Sequence, residues 1–319
     1  MTDTITRPMP RTATGTAPIG GVFSAATTPV GADGAPRLDL FAAHCRALIA
    51  EGCHGVALLG TTGEANSFSL AERHALLDAA LASGLAGDQL LPGTSSCNVP
   101  ETVALTRHAV DSGARGSVLL PPFYYKGVSD EGLFRFYASV IEGVGDDRLR
   151  VVLYHIPQVT QVPISHDLIA RLLAAFPGIV VCIKDSAGDL ANMTAMVERF
   201  PGFAVLAGAD PLLLPLLRAG GHGCITATSN LRADALRVVW DGWADPAAAA
   251  TVEAAQDRIN AWRTLTNAYV QLPTVKAMVA RARGDAAWLN VRPPLVPLAD
   301  SERARVWAEM DRLSAALSA

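Results

Sequence analysis

Eight short apolar runs recur along the chain, and each is followed by a longer segment with helical periodicity. Every run is rich in Val, Ile, Leu or Cys and is bounded by Gly, Pro or polar residues. Such uninterrupted apolar runs are typical of parallel strands that are buried on both faces. The runs interpreted as strands span residues 22–26, 55–59, 90–93, 117–120, 150–154, 179–184, 204–207 and 224–226.

The intervening segments are amphipathic and predict helices. They span residues 38–51, 70–82, 100–111, 130–144, 165–175, 189–200, 211–219 and 233–240. Three of them follow a serine that can cap a helix, namely Ser69, Ser129 and Ser165. A buried strand followed by a helix, repeated eight times, predicts an α/β fold, the closed TIM (β/α)8 barrel. The alternative, an open doubly wound sheet, is disfavoured because no G-x-G-x-x-G turn follows the first run.

The alternation of runs and segments stops after residue 243. The later segments 246–266, 274–283 and 300–317 have only helical character. We therefore expect a barrel over residues 19–243 and a C-terminal helical region over residues 244–319. Residues 1–18 are rich in Thr, Pro and Gly and predict a flexible N-terminal tail.

The composition excludes several classes of protein. Half of the residues are hydrophobic and 18% are charged, whereas a disordered chain needs low hydrophobicity and high net charge. A net charge of -4 does not favour contact with nucleic-acid phosphates. No apolar stretch reaches the roughly 18 residues of a membrane span. The five cysteines are odd in number and widely spaced, which favours a cytoplasmic protein over a disulfide framework.

Catalytic residues of such a barrel are expected at the carboxyl ends of its strands, and Lys184 ends an apolar run. Apolar surroundings disfavour the ammonium form relative to the neutral amine, which is the nucleophile. The chain has three lysines, at positions 126, 184 and 276, and otherwise uses arginine for positive charge. Lys184 is therefore the first candidate nucleophile. The alternative is an ion pair between Lys184 and Asp185 on the barrel rim.

Two other strand ends carry groups suited to proton transfer and anion binding. Tyr154 ends the run before that of Lys184, so its phenol is expected beside the lysine, where it can carry protons. Its alternative role is to cap the core with its hydroxyl in water. Thr61 and Thr62 lie between two glycines in LLGTTGE and offer hydroxyls and backbone N–H groups to a carboxylate. That segment is equally compatible with a turn that leads into a capped helix.

Other chemistries lack their motifs. The seven histidines include no pair at the i, i+4 spacing of a helical zinc site, and there is no CxxC pair. Neither a G-x-S-x-G elbow nor a Walker-type loop is present. His44 and His54, beside Cys45 and Cys53, are interpreted as packing residues, so no metal site is predicted.

Together these motifs resemble those of the dihydrodipicolinate synthase / N-acetylneuraminate lyase family of class I aldolases. The matching motifs are LLGTTGE at 58–64, PPFYYK at 121–126, YHIP at 154–157, IKDSAGD at 183–189, AGAD at 207–210 and GGHGCITATSN at 220–230. They follow in consistent order between about residues 20 and 243. The resemblance implies a barrel with appended helices that forms a Schiff base with an α-keto acid, usually pyruvate.

Roles for individual residues follow from the resemblance where the motifs match. It implies that Lys184 forms the Schiff base and that Tyr154 transfers protons above it. It also implies that Thr61 and Thr62 hold the keto-acid carboxylate. No metal or organic cofactor is implied, because a protonated imine is itself the electron sink.

The resemblance extends to the site walls and to the assembly. Gly208 and Ile225 match positions that line the site through their backbone. In family members a tyrosine of the segment that matches PPFYYK enters the site of the adjoining subunit. This implies that Tyr124 completes a neighbouring site and that the protein is a homotetramer built as a dimer of dimers.

One departure concerns the partner aldehyde. Family members that make dihydrodipicolinate carry an arginine soon after the motif that matches YHIP, and it binds the carboxylate of the aldehyde. Here the residues at 158–160 are uncharged, and the next arginine is Arg171. Uncharged side chains cannot form a bidentate carboxylate clamp, so a role in lysine biosynthesis is disfavoured.

The segment Lys-Asp-Ser at 184–186 is more similar to the branch that acts on 4-hydroxy-2-oxo acids or 2-keto-3-deoxy sugar acids. In that branch Ser186 would contact the distal part of the substrate. His155, which replaces the usual asparagine after the tyrosine, and Thr160 are further candidates for this contact.

These observations predict a Schiff-base lyase that cleaves or forms a C–C bond between pyruvate and an aldehyde. Within the family, the alternatives are dehydration of a keto-deoxy sugar acid through the same imine and, less favoured, 4-hydroxy-tetrahydrodipicolinate synthesis. A metal-dependent aldolase and a non-catalytic keto-acid sensor are alternatives from other classes. The sensor is least favoured because Lys184, Tyr154 and Thr62 are all present. The expected partners are small molecules and further copies of the chain, with no nucleic acid and no membrane.

Overall fold

Parallel strands form the centre of the molecule in the computed structural model, which describes residues 18–315. Residues 1–17 of the predicted tail and residues 316–319 lie outside this range. The strands are β1 (Gly21–Ala25), β2 (Gly55–Ala57), β3 (Ser117–Leu119), β4 (Val151–His155), β5 (Val180–Asp185), β6 (Ala204–Ala207) and β7 (Gly223–Thr226). Their order is β2-β1-β7-β6-β5-β4-β3. Since β1 pairs in parallel with both β2 and β7, the first and last strands of the chain are neighbours, and β2 and β3 are the two edges of the sheet.

The gap between β2 and β3 is bridged by residues 90–93, the one predicted strand that forms only isolated parallel bridges. The backbone N–H of Leu91 donates to the Val56 carbonyl at 2.9 Å, and the Pro92 carbonyl accepts from the Val118 N–H at 2.9 Å. Pro92 has no N–H of its own, which prevents a regular ladder on both sides. The predicted (β/α)8 barrel is thus confirmed, with seven regular strands and an eighth run that connects the two edges.

Helices lie outside the barrel and follow its strands. They are α1 (Leu38–Ala50), α2 (Leu70–Ala82), α3 (Val99–Asp111), α4 (Asp130–Val144), α5 (Pro157–Thr160), α6 (His166–Ala175), α7 (Leu190–Arg199), α8 (Leu213–Arg218) and α9 (Ser229–Gly242). The predicted caps form: the hydroxyls of Ser69, Ser129 and Ser165 each accept a backbone N–H of the first helical turn. The short helix α5 was not predicted, because four residues carry no readable periodicity.

Three further helices follow the barrel, namely α10 (Ala249–Thr266), α11 (Gln271–Arg283) and α12 (Asp300–Ala315). Trp262 of α10, Met278 of α11 and Met310 of α12 pack in one apolar cluster. A second cluster joins Val275 of α11 to Ala227 of the barrel. The helical character predicted after residue 243 is observed, and the division into two regions at that residue stays a prediction. None of the helices within residues 18–315 has the length and apolarity needed to cross a membrane.

Alternation along the strands decides which side chains face the barrel interior. Tyr154 and Ile225 belong to the apolar cluster that fills the interior, together with residues of the other strands. Leu153 belongs to the cluster shared with the surrounding helices. Since successive side chains of a strand point in opposite directions, the neighbours of Tyr154 face the helices. Register pairs Tyr154 with Lys184, so both side chains project into the barrel mouth.

Candidate active site

A cavity of 350 Å³ opens at the carboxyl ends of the strands. Its floor, defined here as the strand-end residues that line it, comprises Thr61, Thr62, Tyr154, Lys184, Ser186, Gly208 and Ile225. Its roof, defined as the lining residues beyond the barrel, comprises Arg263, Asn267, Gln271 and Leu272. The structure thus brings together seven of the nine residues that the sequence predicts for the site. The location matches the position of active sites in barrels of this kind.

Lys184 lies at the centre of the floor and is 5% exposed. Its Nζ lies 4.0 Å from the centroid of the Tyr154 ring, a cation–π distance. The Asp185 carboxylate, on the opposite face of β5, accepts from the Ala187 N–H at 2.8 Å and from Asn192 Nδ2 at 2.7 Å. The Asp185 carboxylate therefore binds groups of the following loop and of α7. It does not form the rim ion pair with Lys184 that was considered as an alternative.

The Tyr154 hydroxyl lies 3.2 Å from Thr61 Oγ1, within hydrogen-bond distance. Burial by itself raises the pKa of the Tyr154 phenol, but the charge of Lys184 and hydrogen bonds from Thr61 and Ser186 outweigh it. The net effect lowers the pKa of Tyr154 below its ordinary value of 10.0. A phenol with a lowered pKa between a lysine and a threonine is suited to move a proton to and from a bound molecule.

The segment that carries Thr61 and Thr62 has an unusual backbone. Leu59 before it and Glu64 after it adopt left-handed conformations, with φ of 58° and 56°. Non-glycine residues rarely adopt this region, and doing so costs about 1–3 kcal/mol each. The cost is met by tertiary contacts, because Glu64 forms an ion pair with Lys276 and accepts the Arg292 N–H at 3.2 Å. The two threonines are therefore held in a fixed position at the floor.

Gly208 lies directly beside Ser186, and its lack of a side chain is required there. A Cβ atom on Gly208 would lie 1.8 Å from Ser186 Oγ and 2.9 Å from the Asp185 carbonyl. The Gly208 N–H donates to that same carbonyl at 2.7 Å. The close approach of the two strand ends leaves Ser186 Oγ room to face Tyr154.

Gly208→Ala is expected to lower the free energy of unfolding by about 1–3 kcal/mol, the usual cost of overpacking. The double variant Ser186→Ala/Gly208→Ala should recover part of this loss, because the contact with Oγ disappears while that with the Asp185 carbonyl stays. Urea unfolding of both variants and of Ser186→Ala measures the coupling. If Gly208→Ala lowers the free energy of unfolding by the same amount in the parent protein and in Ser186→Ala, the proposed contact between a Cβ atom at position 208 and Ser186 Oγ is contradicted.

Two of the predicted site residues lie elsewhere. His155 follows Tyr154 on β4, so its side chain faces away from the floor. Nδ1 of His155 accepts the Ile164 N–H at 3.1 Å. Together with His166, His155 lines a separate pocket. The expectation that His155 contacts the substrate is not met by this geometry. Tyr124 is 73% exposed and stacks edge-to-face on Tyr125. It lines no part of the cavity within a single chain.

Thr160, the other candidate for a distal contact, is also turned away from the cavity. Its hydroxyl donates to the Ile156 carbonyl at 3.1 Å and accepts the Val162 N–H at 3.2 Å. Gln158 of the same short helix does line the cavity, and its Nε2 donates to the Ser186 carbonyl at 2.6 Å. The contacts of α5 with the site therefore come from uncharged groups.

Metal ligands do not cluster in residues 18–315, where no group of three or more His, Cys, Asp or Glu side chains could hold an ion. His44 Nε2 is 3.0 Å from Asn230 Oδ1, and the ring stacks edge-on against Trp288. Burial lowers the pKa of His44 to about 4. These contacts agree with the interpretation of His44 as a packing residue.

Comparison with known proteins adds to this geometry. A model of the dihydrodipicolinate synthetase family matches residues 18–313. The chain belongs to the dihydrodipicolinate synthetase family. It is 34% identical over 297 residues to an uncharacterised DapA-like lyase of Chloroflexus aurantiacus, a match that covers 92% of this chain and 97% of that protein. Members of the family are class I aldolases and lyases, and the chain is an enzyme of this class.

Solved structures of the family have the same fold. The crystal structure of dihydrodipicolinate synthase from Agrobacterium tumefaciens matches with a TM-score of 0.84 at 33% identity, over 92% of this chain and 99% of that one. YagE from E. coli K12, solved in complex with pyruvate, matches with a TM-score of 0.85 at 26% identity, over 93% and 99% of the two chains. The resemblance inferred from the motifs is thereby confirmed at the level of family and fold.

Sequence reasoning missed the roof of this dihydrodipicolinate synthetase family site. Arg263 and Asn267 come from the end of α10 and the turn after it, and Gln271 and Leu272 begin α11. Their positions depend on how the last helices dock over the barrel mouth. Helical periodicity predicts that these helices exist but does not predict where they pack, so the sequence carried no signal for this half of the cavity.

Proposed function

We propose that this enzyme is a lyase that forms a Schiff base between Lys184 and the ketone of pyruvate, and that it cleaves or forms the C–C bond between pyruvate and an aldehyde. The observation that carries the proposal is the position of Lys184. Its amine lies 4.0 Å from the centroid of the Tyr154 ring on the floor of the cavity. The solved relative YagE is a complex with pyruvate, which supports an α-keto acid as the ligand of this fold.

Imine formation begins the proposed reaction. The Lys184 amine attacks C2 of a 4-hydroxy-2-oxo acid, and the carbinolamine loses water to give a protonated imine. Thr61 and Thr62, held between two strained residues, are placed to bind the C1 carboxylate with hydroxyl and N–H groups. This contact would orient C2 toward Lys184 and leave the rest of the substrate to extend toward the roof.

Cleavage follows from the imine. The Tyr154 phenolate accepts the proton of the C4 hydroxyl, the C3–C4 bond breaks, and the aldehyde leaves. The bonding electrons move to the imine and give an enamine, which takes a proton at C3. Water then hydrolyses the imine, which releases pyruvate and restores the Lys184 amine. The hydrogen bond of Tyr154 with Thr61 supports the phenolate form in this step.

Borohydride trapping with pyruvate tests the proposal. The chain has three lysines, so a reduced imine can be assigned from few peptides. An adduct on Lys184 removes a tryptic site and is expected on the peptide that spans residues 172–199. Sodium borohydride without pyruvate is the control. Absence of an adduct on the folded protein at saturating pyruvate would refute the proposed chemistry.

Thr61→Val is expected to move the pH dependence of catalysis to higher pH. The phenolate of Tyr154 is the active form in cleavage, so kcat/KM rises with pH until Tyr154 is deprotonated. The Thr61 hydrogen bond lowers the pKa of Tyr154, and its loss should shift this rise by about 0.5–1 pH unit, the equivalent of one hydrogen bond. Thr61→Ser keeps the hydroxyl and should retain the original profile. A profile unchanged in Thr61→Val would contradict the role of Thr61.

We further propose a homotetramer with Tyr124 in the site of an adjoining subunit. The side chains of Tyr124 and Tyr125 are 73% and 71% exposed in the single chain, and adjacent exposed aromatic residues are frequent at protein interfaces. Sedimentation of the full chain tests the assembly.

A cytoplasmic location is proposed from the cysteines, because all five are free thiols and four of them are buried.

A further inference from the structure

The roof of the cavity carries a permanent positive charge that the proposed chemistry does not use. Within residues 18–315, Lys184 and Arg263 are the cationic side chains that line the cavity. Lys184 is committed to C2 of the substrate once the imine forms. The guanidinium of Arg263 has a fixed planar set of donors and no acceptor. It therefore faces whatever part of the substrate extends beyond C4.

Arg263 is anchored from behind by a buried carboxylate. Its Nε lies 3.7 Å from Asp210 Oδ2, and its side chain is 21% exposed whereas that of Asp210 is fully buried. Burial raises the pKa of Asp210, while Arg263 and the hydroxyls of Thr226 and Thr228 oppose this effect. This contact is an ion pair without a hydrogen bond, and it leaves the two Nη groups of Arg263 for other partners.

Those Nη groups meet a neutral amide. One amide terminus of Gln271 lies 2.5 Å from Arg263 Nη1 and 3.3 Å from Nη2. A guanidinium only donates, so this terminus is the Gln271 oxygen. The same terminus lies 2.9 Å from the atom assigned as Asn267 Oδ1, so with an oxygen on Gln271 the Asn267 amide must be turned to present its NH2 group there. A neutral acceptor thus occupies the place that a carboxylate would take, whereas a carboxylate can pair with a guanidinium through two parallel hydrogen bonds in which both partners are charged.

We propose that Arg263, assisted by Asn267 and Gln271, binds a second carboxylate at the far end of the substrate. The substrate class is then a 4-hydroxy-2-oxo dicarboxylic acid, and the released aldehyde carries a carboxylate. This inference rests on the proposed lyase function. It assigns to a helix beyond the barrel the clamp that is missing after YHIP, where Gln158 is tied to the Ser186 carbonyl.

The number of charges favours a carboxylate over a phosphate ester. A phosphate dianion would bring a second negative charge to a site with one guanidinium, which Asp210 already partly neutralises at 3.7 Å. A planar carboxylate matches the two Nη donors in a bidentate pair. A sugar-acid chain would need partners for several hydroxyls, whereas the cavity lining includes the apolar side chains of Ile156, Val159 and Leu272.

A matched pair of substrates tests the inference in the unmodified enzyme. 4-Hydroxy-2-oxoglutarate and 4-hydroxy-2-oxopentanoate have the same carbon chain and differ in a terminal carboxylate against a methyl group. A bidentate contact with a charged group predicts that kcat/KM for the dicarboxylate is higher by about 10- to 100-fold. 4-Hydroxy-2-oxohexanedioate, which is longer by one carbon, and 2-keto-3-deoxy-6-phosphogluconate extend the comparison to chain length and to phosphate.

Arg263→Met keeps the length of the side chain and removes its charge, so it should reduce the ratio of the two kcat/KM values to near unity. Arg263→Lys keeps the charge without the bidentate geometry and should give an intermediate ratio. The matched control is Arg258→Met, on the same helix but outside the cavity lining, which should leave the ratio unchanged. A ratio needs no equal folding of the variants, because loss of active enzyme affects both substrates alike.

Three outcomes are distinct. If pyruvate is not trapped on Lys184, the lyase proposal fails and the inference fails with it. If trapping succeeds but the unmodified enzyme prefers the methyl compound or the phosphate ester, the lyase proposal stands and the carboxylate inference is wrong. If the dicarboxylate is preferred and Arg263→Met keeps that preference, Arg263 is not the group that binds it, and the inference is equally overturned.

Discussion

Lys184→Ala is expected to lower kcat for pyruvate release by at least about 10⁴-fold, because no other group can form the covalent intermediate. The other two lysines are engaged elsewhere. Lys276 is fully buried in an ion pair with Glu64, and Lys126 Nζ donates to the Thr160 carbonyl at 2.7 Å. Pyruvate release, coupled to lactate dehydrogenase, measures the loss.

The control for this prediction is Lys126→Ala, which should still be trapped by pyruvate and borohydride at Lys184. Lys184→Ala should stay folded, with a urea midpoint near that of the parent protein, since removal of a buried amine offsets part of the packing lost with its alkyl stem. An adduct that persists in Lys184→Ala would show that another amine forms the imine. Substantial remaining turnover would show that no imine is needed.

Lys276→Met is expected to lower the free energy of unfolding by about 3–5 kcal/mol, the usual cost of leaving one member of a buried ion pair alone. Lys276 Nζ contacts Glu64 and donates to the Asn290 carbonyl at 2.8 Å, and both side chains are almost completely inaccessible to solvent. Burial lowers the pKa of Lys276, and the charge and hydrogen bond of Glu64 oppose this. Urea unfolding measures the effect.

The double variant Glu64→Gln/Lys276→Met separates the two contributions. It removes both charges, so it should be more stable than Lys276→Met alone. Arg312→Met, which breaks an exposed pair with Glu309, is a suitable reference and should cost no more than about 1 kcal/mol. A loss of similar size in Lys276→Met would indicate that the buried pair contributes little. In Lys276→Met, trapping of the Lys184 imine with pyruvate and borohydride should also weaken, because the Glu64–Lys276 pair fixes the segment of Thr61 and Thr62.

The barrel was predictable because its strands are buried on both faces. Between their end residues, runs such as 150–154 and 179–184 show no alternation of polar and apolar residues that would indicate a solvent face, and most of each run forms a regular strand. The run at 90–93 is equally apolar but includes Pro92, so its backbone forms bridges rather than a ladder. An apolar pattern predicts burial well, whereas the regularity of a strand also depends on the N–H groups that it can donate.

The candidate site was predictable only as far as strand ends determine it. Lys184 and Tyr154 meet because their strands are neighbours in register, a consequence of the barrel itself. His155 was predicted to contact the substrate because it belongs to the YHIP motif. Its position one residue after Tyr154 turns its side chain away from the barrel interior. The contact between Arg263 and Asp210 joins residues of different regions, and only the packed structure shows it.

The floor and the roof come from separate stretches of the chain, residues 61–225 and 263–272. The floor, which carries the groups that make and break bonds, and the roof, which faces the far end of the substrate, can therefore change independently during divergence. A hybrid enzyme that keeps this barrel but takes the sequence of α10 and α11 from a relative should change its aldehyde preference without rebuilding the imine site. A constraint on such an exchange is that the incoming α11 supplies a lysine at position 276, since Glu64 of the barrel forms an ion pair with it.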